Sequence, residues 1–344
     1  MPKAMLTGAT GFVGGALFRE LLRRNWEVRV LVRATSDRRN LEGYERRFEC
    51  ITGDIADRES VRRAMDGCDT VFHVAARYTL WNLRPDEVYR DNVEGTRNVL
   101  EVAGDLGVRR IVHTSTVGVL GAPCDGRPAN ESSWAALSDL QGHYKRSKWQ
   151  AEECARDLAA KGLPVVIVNP ASPVGPRDIK PTPTGKIILD FLRGRMFACT
   201  QTGLNVVPVE DVATGHILAA EKGVPGERYI LGGENLSLAR IFGMLADITG
   251  RHPPRVSIPP RLLLPMSFFA EALSRVTRRP PLIPWEAVTM AQRHMYFDNA
   301  RARRELGFAP GDVKSALERA VQWFRENGYL GGRASGAGAA ALVF

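Results

Sequence analysis

Short apolar runs alternate with amphipathic segments along the first half of the chain. The runs at residues 4–6, 27–32 and 165–170 are bounded by turn-forming residues, as buried strands are. Between them lie segments whose apolar residues recur at three- and four-residue steps, which is the period of a helix. This alternation predicts an α/β protein with a parallel sheet. Further strands are predicted at residues 48–55, 70–76 and 110–116.

A glycine-rich stretch joins the first predicted strand to the first predicted helix. Glycines there let the backbone turn sharply and approach a pyrophosphate, while the free N–H groups of the helix face the anion. The three-residue glycine spacing at a strand–helix junction predicts a dinucleotide site, and the alternative is a turn that binds nothing. The contacts predicted in this loop are Gly8, Thr10, Gly11, Phe12, Val13 and Gly14.

The end of the second strand bears on the choice of cofactor. A NAD-binding fold usually carries Asp or Glu about 20 residues beyond the glycines, where it binds the adenine ribose. Here Val32 and Arg33 fill that place. A guanidinium can bind a 2′-phosphate that a carboxylate would repel, so NADP(H) is favoured over NAD(H). The alternative is that Arg33, Arg38 and Arg39 are solvated loop charges.

The ends of the later strands extend the predicted cofactor site, because ligands of open α/β sheets bind at the carboxyl ends of the strands. An acid near the end of the third strand is placed to meet the adenine edge. Small residues end the fourth strand and let a cofactor lie against the backbone, and residues closing the sixth strand are expected near the nicotinamide. The contacts predicted here are Asp54, Ile55, Ala75, Ala76, Pro170 and Ser172.

Candidate catalytic groups follow the fifth strand. Tyr144 and Lys148 are four residues apart on a predicted helix, so they share one face. Lowering a tyrosine pKa from about 10 by ~3 units needs about 4 kcal/mol of preferential phenolate stabilisation. A neighbouring ammonium and an oxidised nicotinamide can supply much of it. A helical pattern over residues 85–103 contains Asn92, whose poor helix propensity indicates a role other than helix stability.

Together these motifs resemble the extended short-chain dehydrogenases/reductases. The resemblance rests on the three glycines, on Asn92 with the Gly95-Thr96 that follows, on Tyr144 with Lys148, and on the strand hydroxyls. A finer resemblance is to the hopanoid-associated sugar epimerases, which are relatives of dihydroflavonol reductases within the NAD-dependent epimerase/dehydratase superfamily. It runs from the first strand to about residue 324. The stretches that carry it are residues 78–81, 142–148, 175–185 and 229–235.

The resemblance implies a role for each matching residue. Tyr144 would be the general acid/base, and Lys148 its pKa partner and a ribose ligand. Asn92 would help to order a proton relay. Thr116, with Ser115 beside it, would polarise the substrate oxygen, although most relatives have serine in place of Thr116.

The resemblance also limits the substrate. Nucleotide-sugar epimerases generally place an asparagine that holds the diphosphate where this chain has Ser172. This argues against a nucleotide-sugar substrate and, with the NADP(H) preference, favours net reduction or oxidation. The resemblance itself implies hydride transfer at a secondary alcohol or carbonyl carbon of a sugar or sugar-like compound, such as a hopanoid side chain. Epimerisation stays open, as does a dihydroflavonol-reductase-like reduction of a ketone or aldehyde unconnected with hopanoids. A regulator that senses NADP(H) without turnover is a further alternative.

These observations predict a doubly wound parallel sheet, the Rossmann fold, with a small, mostly helical C-terminal substrate lobe. The dinucleotide-binding domain is expected at residues 1–172, and residues 203–235 return to it. The substrate lobe is expected at residues 173–202 and 236–330. Residues 331–344 resemble a disordered tail.

Composition narrows the setting. Among 344 residues there are five cysteines without a Cys-x-x-Cys pair, which predicts reduced thiols in a cytoplasmic protein and no metal site. The net charge of +9 suits an anionic cofactor or substrate. The scattered arginines argue against nucleic acid, and a homodimer stays open. Arginines also follow the apolar start of residues 262–279, which predicts either a helix packed on the lobe core or weak peripheral membrane contact.

Overall fold

A seven-stranded parallel sheet forms the centre of the protein. The computed structural model describes residues 1–78, 84–121, 123, 127–196, 198–277, 281 and 285–330. The strand order is β10-β6-β5-β4-β1-β2-β3, so the chain winds outward in both directions from the middle of the sheet. This is the doubly wound Rossmann fold that the sequence predicts. Its strands are β1 (Lys3–Thr7), β2 (Glu27–Val32), β3 (Glu49–Thr52), β4 (Thr70–His73), β5 (Arg110–Thr114), β6 (Val165–Pro170) and β10 (Arg228–Leu231).

Helices cover both faces of the sheet. On one face α1 packs against α7, and their apolar side chains join one core with Phe72 and Val112 of the sheet. On the other face α4 packs between α2 and α5. Apart from the edge strand β3, the sheet strands are largely buried, which is why they read as apolar runs. These helices are α1 (Phe12–Arg23), α2 (Arg58–Met65), α3 (Pro85–Tyr89), α4 (Gly95–Asp105), α5 (His143–Ala160) and α7 (Val209–Lys222).

The smaller C-terminal lobe is mostly helical. Its core is formed by side chains of α6, α8 and α11. Two small sheets accompany it, one with the order β11-β9-β7 and one pairing β12 with β8. The additional elements are β7 (Ser172–Val174), α6 (Pro183–Leu192), β8 (Ala198–Thr200), β9 (Gly203–Pro208), β11 (Glu234–Ser237), α8 (Leu238–Thr249), β12 (Val256–Ile258), α9 (Leu264–Thr277), α10 (Trp285–Ala291) and α11 (Val313–Glu326).

The predicted bounds hold best where the apolar run is uninterrupted. The predictions for β2 and β6 are confirmed at both ends. The predictions for β3, β4 and β5 were too long, because the polar or small residues after these strands lie in loops. Asp54 and Thr116 are therefore loop residues at the carboxyl edge of the sheet.

The predicted helix over residues 85–103 contains one wide turn. The chain passes from α3 through a π-helical turn at Arg90–Glu94 into α4. Asn92 lies in this turn, which accounts for a residue of poor helix propensity in a helical pattern. Such single π-turns frequently mark functional sites.

Several sequence features lie outside the described residues. They are the Thr79-Leu80-Trp81 part of the family motif, Cys124, Arg278, Arg279 and the whole tail at residues 331–344. Within the described part of the chain, the remaining four cysteines are unpaired, and no helix is both long and apolar enough to cross a membrane.

Candidate active site

The glycine loop leaves β1 with a backbone that only glycine tolerates easily. Gly8 has φ 77°, and a Cβ there would lie 2.7 Å from Ala75 N. A Cβ at Gly14 would collide with the carbonyl oxygen of Gly8. Gly11 precedes α1 and offers no side-chain cap, so the first N–H groups of this helix stay available to an anion.

Asn40 fixes the shape of this loop and was not predicted from the sequence. Its buried amide donates to Thr10 O at 3.2 Å and to Gly11 O at 3.1 Å. Gly15 packs directly on the same side chain. Because Asn40 lies in the loop after β2, only the fold brings it to the glycines, and no local pattern announces it.

A hydrogen-bonded chain crosses the sheet behind the loop. Thr7 Oγ1 accepts from Val74 N and Ala75 N, both at 3.1 Å, and bonds to His73 Nδ1 at 2.9 Å. His73 Nε2 lies 2.9 Å from Thr96 Oγ1, whose proton goes to Asn92 O. These bonds require the proton on Nε2 and a lone pair on Nδ1.

His73 is a buried histidine whose two ring nitrogens are both held by hydrogen bonds. Burial, together with the nearby Lys148 ammonium, lowers its pKa to about 3, so the ring is neutral at physiological pH. Its neighbour His113 stacks on it with ring centroids 5.5 Å apart. Burial also holds the pKa of His113 well below its usual range. Because both imidazole rings are neutral, neither places a positive charge near Lys148.

Arg33 lies at the edge of a cluster of arginines. Its Nη1 is 3.4 Å from Asp91 Oδ2, while Nη2 of Arg77 and Nη2 of Arg90 lie 2.7 Å and 3.1 Å from the same carboxylate. The Asp91 side chain is only 6% exposed, whereas that of Arg33 is 52% exposed. Arg77 also pairs with Glu87 at 3.3 Å, so the three guanidiniums face two carboxylates and this cluster keeps one net positive charge. Arg39 is instead paired with Asp37.

Four further residues predicted to contact the cofactor lie after the carboxyl ends of β3 and β4. Asp54 Oδ1 caps its own loop by accepting from Ala56 N at 3.0 Å. Ile55 packs on Gly95, where a Cβ would lie 2.7 Å from its Cδ1. Ala75 lies two residues after the end of β4 and packs against Gly8. The next residue, Ala76, is exposed.

At the far edge of the site, the chain passes from β6 into β7. Pro170 ends β6 and pairs with Leu231 of β10. Ser172 begins β7 and is half-buried, two residues further along. The carboxyl ends of β4, β5 and β6 therefore bring the remaining predicted contacts to one edge of the sheet.

Helix α5 carries Tyr144 and Lys148 on one face. Lys148 is fully buried and its Nζ donates to Thr114 O, the last residue of β5, at 2.6 Å. Burial lowers the pKa of Lys148 to about 8, and the charge of Glu152 opposes this shift. A buried ammonium one helical turn from a tyrosine is the arrangement that favours phenolate.

Asn92 connects the π-turn to helix α5. Its Nδ2 donates to Ser147 Oγ at 2.9 Å, and Ser147 Oγ donates to Tyr144 O at 2.8 Å. Its Oδ1 accepts from Arg77 N at 2.7 Å. All groups of this amide are thus committed to holding α5 against the loop after β4.

The two hydroxyls after β5 lie in different surroundings. Thr116 is half-buried, and its Oγ1 accepts from Gly118 N at 3.1 Å, which leaves its own proton to donate. Ser115 is 5% exposed, next to Glu152, and its Oγ makes no well-formed hydrogen bond within the described residues. Thr116 is therefore the hydroxyl better placed to meet a substrate.

Tyr78 covers Tyr144. Its ring centroid is 4.5 Å from that of Tyr144 in an edge-to-face contact, and its side chain is 48% exposed. The family motif contains Tyr78, but nothing in the sequence alone placed it against Tyr144.

A buried charge network lies one turn further along α5. Glu152 Oε1 is 3.2 Å from Arg228 Nε, and Glu152 Oε2 accepts from Asn169 Nδ2 at 2.9 Å. Asn169 Nδ2 also donates to Thr116 O at 3.1 Å, which joins the network to the loop after β5. The Arg228 guanidinium lies 4.1 Å from the centroid of the Trp134 ring. Burial raises the pKa of Glu152, against the opposing charge of Arg228.

The residues present fit a nicotinamide dinucleotide. The backbone cradle at Gly8 and Gly14 is one that a Cβ would fill, and the uncapped N-terminus of α1 opens beside it. Gly8, Gly11 and Gly14 would hold the pyrophosphate, and Tyr144 with Lys148 lies at the same edge of the sheet. The fold and this site define a Rossmann-type enzyme that is an NAD(P)-dependent oxidoreductase or epimerase.

Comparison with known proteins agrees with this class. The chain belongs to the NAD dependent epimerase/dehydratase family, whose model matches residues 4–232. It is 44% identical over 329 residues to the putative dihydroflavonol 4-reductase of Synechocystis sp., covering 94% of this chain and 95% of that protein. Sterol demethylase protein B of Methylococcus capsulatus is 38% identical over 329 residues, covering 95% and 99%.

Solved structures share the whole architecture. The crystal structure of gox2253 superposes with a TM-score of 0.86 at 44% identity and covers 95% of this chain and 99% of that one. A nucleoside-diphosphate-sugar epimerase from Pseudomonas aeruginosa gives a TM-score of 0.78 at 27% identity, with the same coverage of 95% and 99%. The extended short-chain dehydrogenase/reductase fold predicted from the sequence is confirmed.

Proposed function

We propose that this protein is an NADP(H)-dependent oxidoreductase that moves hydride at a secondary alcohol or carbonyl carbon. The observation that carries the proposal is the pairing of Tyr144 with a buried Lys148 on α5, at the sheet edge where the glycine loop opens. A structural lysine has little reason to be fully buried without a carboxylate in direct contact, because desolvating an ammonium is costly.

The residues of the chain divide the proton chemistry between them. When bound, the nicotinamide supplies or accepts the hydride. Tyr144 gives its phenol proton to the substrate oxygen in reduction and takes one in oxidation. Thr116 donates a hydrogen bond to that oxygen, since Gly118 N only donates to its Oγ1 and its own proton is still available. Lys148 keeps one of its three protons on Thr114 O and has two left for the cofactor ribose.

Asn92 and Ser115 have supporting roles in this proposal. Asn92 holds the turn of α5 that carries Tyr144, through Ser147. Ser115 is buried next to Glu152, so its proposed role is structural and does not include contact with the substrate.

The charge at the adenine end supports NADP(H) over NAD(H). Arg33 follows β2, where a carboxylate would serve NAD(H), and its side chain is half-exposed. Arg77 and Arg90 add positive charge from the neighbouring loop and the π-turn. A dianionic 2′-phosphate would be attracted to this cluster, and it can compete with Asp91 for the Arg33 guanidinium.

The substrate we propose is a sugar or sugar-like group, such as a polyol-bearing hopanoid side chain. This rests on the resemblance of the sequence motifs to the hopanoid-associated sugar epimerases. The relative named sterol demethylase protein B supports a polycyclic substrate, since sterols and hopanoids are both polycyclic lipids. Relatives named as reductases favour net reduction over epimerisation, as does Ser172 at the position of the diphosphate-binding asparagine. Dihydroflavonol-like ketones are the alternative substrates.

The test is an assay of the purified protein with NADPH or NADP⁺ and a panel of polyol-bearing hopanoids, aldehydes and ketones, including a dihydroflavonol. Net reduction consumes NADPH in proportion to product. Epimerisation inverts the configuration at the reacting carbon with no net change in cofactor, because the hydride leaves and then returns to the other face. Turnover with a dihydroflavonol but not with hopanoids would transfer the assignment to the alternative reductase.

Tyr144→Phe is the matched control in this assay. Cofactor binding by calorimetry with no turnover on any of these compounds, in parent and variant alike, would favour a sensor of NADP(H) over an enzyme.

A further inference from the structure

Helix α9 buries two small polar side chains and exposes several large apolar ones. Ser267 and Ser274 are 0% and 2% exposed, whereas Phe268 and Phe269 are 62% and 70% exposed. An amphipathic helix at a protein surface normally has the opposite arrangement. The polar groups cost little here, because both serine hydroxyls donate to carbonyl oxygens of their own helix.

The exposed apolar residues form a continuous stripe. Leu262, Met266, Phe269 and Leu273 follow one another at steps of four, three and four residues, so they share one face. All four are more than half exposed. The stripe begins in the short turn before α9 and is about 16 Å long. The ring of Phe268 lies beside it, with its centroid 6.0 Å from Phe269.

This stripe gathers much of the exposed apolar surface of the described chain. Five of the eleven large hydrophobic side chains that are exposed in the described residues belong to this stripe and the adjoining Phe268. Trp285 at the start of α10 contacts Phe268 and is also partly exposed. A contiguous patch of this kind marks an interaction surface, whereas single exposed apolar residues do not.

The surrounding charge identifies the partner. The sequence from residue 251 to residue 277 contains four arginines and one acid, Glu271. Arg255 and Arg261, just before the stripe, are both exposed. A second copy of the chain would bring like charges together across the face, which disfavours self-association. An anionic lipid surface accepts both the apolar stripe and the arginines.

We propose that α9 lies on an anionic lipid bilayer, with the stripe at the headgroup–acyl boundary and Arg255 and Arg261 on lipid phosphates. A helix of 14 residues is too short to span, so the contact is peripheral. The proposal stands apart from the catalytic assignment, because it needs neither cofactor nor turnover. Part of the helix also packs on the protein, since Leu264 and Ala270 adjoin the buried Leu263 and Val288, and the stripe is the face that stays exposed.

The test is co-sedimentation of the full chain with vesicles of phosphatidylcholine alone or mixed with phosphatidylglycerol, at low and at high salt. We expect binding only to the anionic vesicles, weakened by salt. Phe268→Ser with Phe269→Ser should lower the partition coefficient at least about tenfold, because two rings lose their burial. Val224→Ser is the matched control, since Val224 is 51% exposed at another site.

A charge series completes the design. Arg255→Glu with Arg261→Glu should abolish the preference for anionic vesicles, whereas Arg46→Glu with Arg109→Glu, an equal charge change elsewhere on the surface, should retain it. No binding of the parent to anionic vesicles at low salt would overturn the proposal. Equal losses of vesicle binding in the test variants and in their control variants would also overturn the proposal. A dimer in analytical ultracentrifugation that only the phenylalanine variant dissociates, without vesicle binding, would assign the stripe to a second copy.

Discussion

The Glu152 carboxylate and the Arg228 guanidinium form a buried ion pair, with Oε1 and Nε 3.2 Å apart and side chains 0% and 9% exposed. Removing one partner of such a pair usually costs more than the pair contributes, because the other charge stays buried. Glu152 also follows Lys148 by one turn of α5, and its charge raises the pKa of that lysine. The pair therefore bears on both stability and catalysis.

Glu152→Gln should move the alkaline limb of kcat/KM to lower pH. Burial already lowers the pKa of Lys148 to about 8, and without the opposing carboxylate it should fall further. The ammonium is then lost at a lower pH, and phenolate stabilisation is lost with it. The shift should reach about one pH unit, measured over the alkaline range with saturating cofactor.

A second variant separates this electrostatic role from a structural one. Glu152→Gln alone should destabilise the fold by roughly 3–5 kcal/mol, because Arg228 keeps an unpaired buried charge. Glu152→Gln with Arg228→Met removes both charges and should recover most of that loss, while the alkaline limb stays low. Recovery of the parental pH profile in the double variant would contradict the electrostatic role.

Tyr144→Phe should leave NADP(H) affinity nearly unchanged and reduce turnover steeply. The change removes only the phenol oxygen, which the cofactor barely needs. Proton transfer by such a group typically contributes 10²–10⁴-fold, so kcat should fall in that range. Calorimetry and steady-state kinetics give the two readouts. Full turnover in this variant would eliminate the assigned chemistry.

Lys148→Met should behave differently from Tyr144→Phe. It removes both the cation next to the phenolate and a proposed ribose ligand, so cofactor binding and kcat should weaken together. Methionine fills a similar buried volume and leaves Thr114 O without its donor. Loss of kcat with unchanged cofactor affinity would show that Lys148 does not contact the ribose.

Arg33→Asp should narrow or reverse a preference for NADPH over NADH. A carboxylate repels the 2′-phosphate and can accept from the adenine ribose. Arg46→Asp, an equal change at another exposed arginine, should leave the ratio of affinities unchanged. Equal calorimetric affinities of the parent for NADPH and NADH would refute the preference itself.

Asp178→Asn should stabilise the protein near neutral pH. Burial raises the pKa of Asp178 to about 6 from an ordinary 3.8. The folded state thus binds more protons than the unfolded state between these values, and the free energy of unfolding falls as pH rises through them. The variant should gain roughly 2–3 kcal/mol above pH ~6 and little below pH ~4.

The amide can keep the local bonds of Asp178, since both Thr182 N and Thr182 Oγ1 donate to a single carboxylate oxygen. Denaturant unfolding of parent and variant at several pH values provides the measurement. A stability difference between parent and variant that does not change with pH would show that the raised pKa of Asp178 is not its cause.

Local patterns predicted the sheet because its strands are short apolar runs, and β2 and β6 match residue for residue. They overextended β5 because Ser115 and Thr116 have strand-like neighbours, while only the geometry of the sheet edge ends the pairing. They also marked Asn92 as out of place without showing the π-turn, since one added residue per turn leaves no trace in composition.

What the sequence could not provide depends on contacts between distant segments. Asn40 reaches the glycine loop, and Arg228 reaches Glu152, only when the chain is folded. The apolar residues of α9 were visible as a pattern, but the pattern does not tell which face is inside. Here the packing of Ser267 and Ser274 decides that question.

In the hydrogen-bonded chain through His73, the direction from donor to acceptor is fixed, because every hydroxyl and ring N–H proton already has an acceptor. Replacing one member of this chain leaves another member without its hydrogen-bond donor or acceptor. Thr7, His73 and Thr96 should therefore vary as a set among homologous sequences, with apolar residues replacing all three together or none. An alignment in which Thr7 and Thr96 change independently of His73 would contradict this coupling.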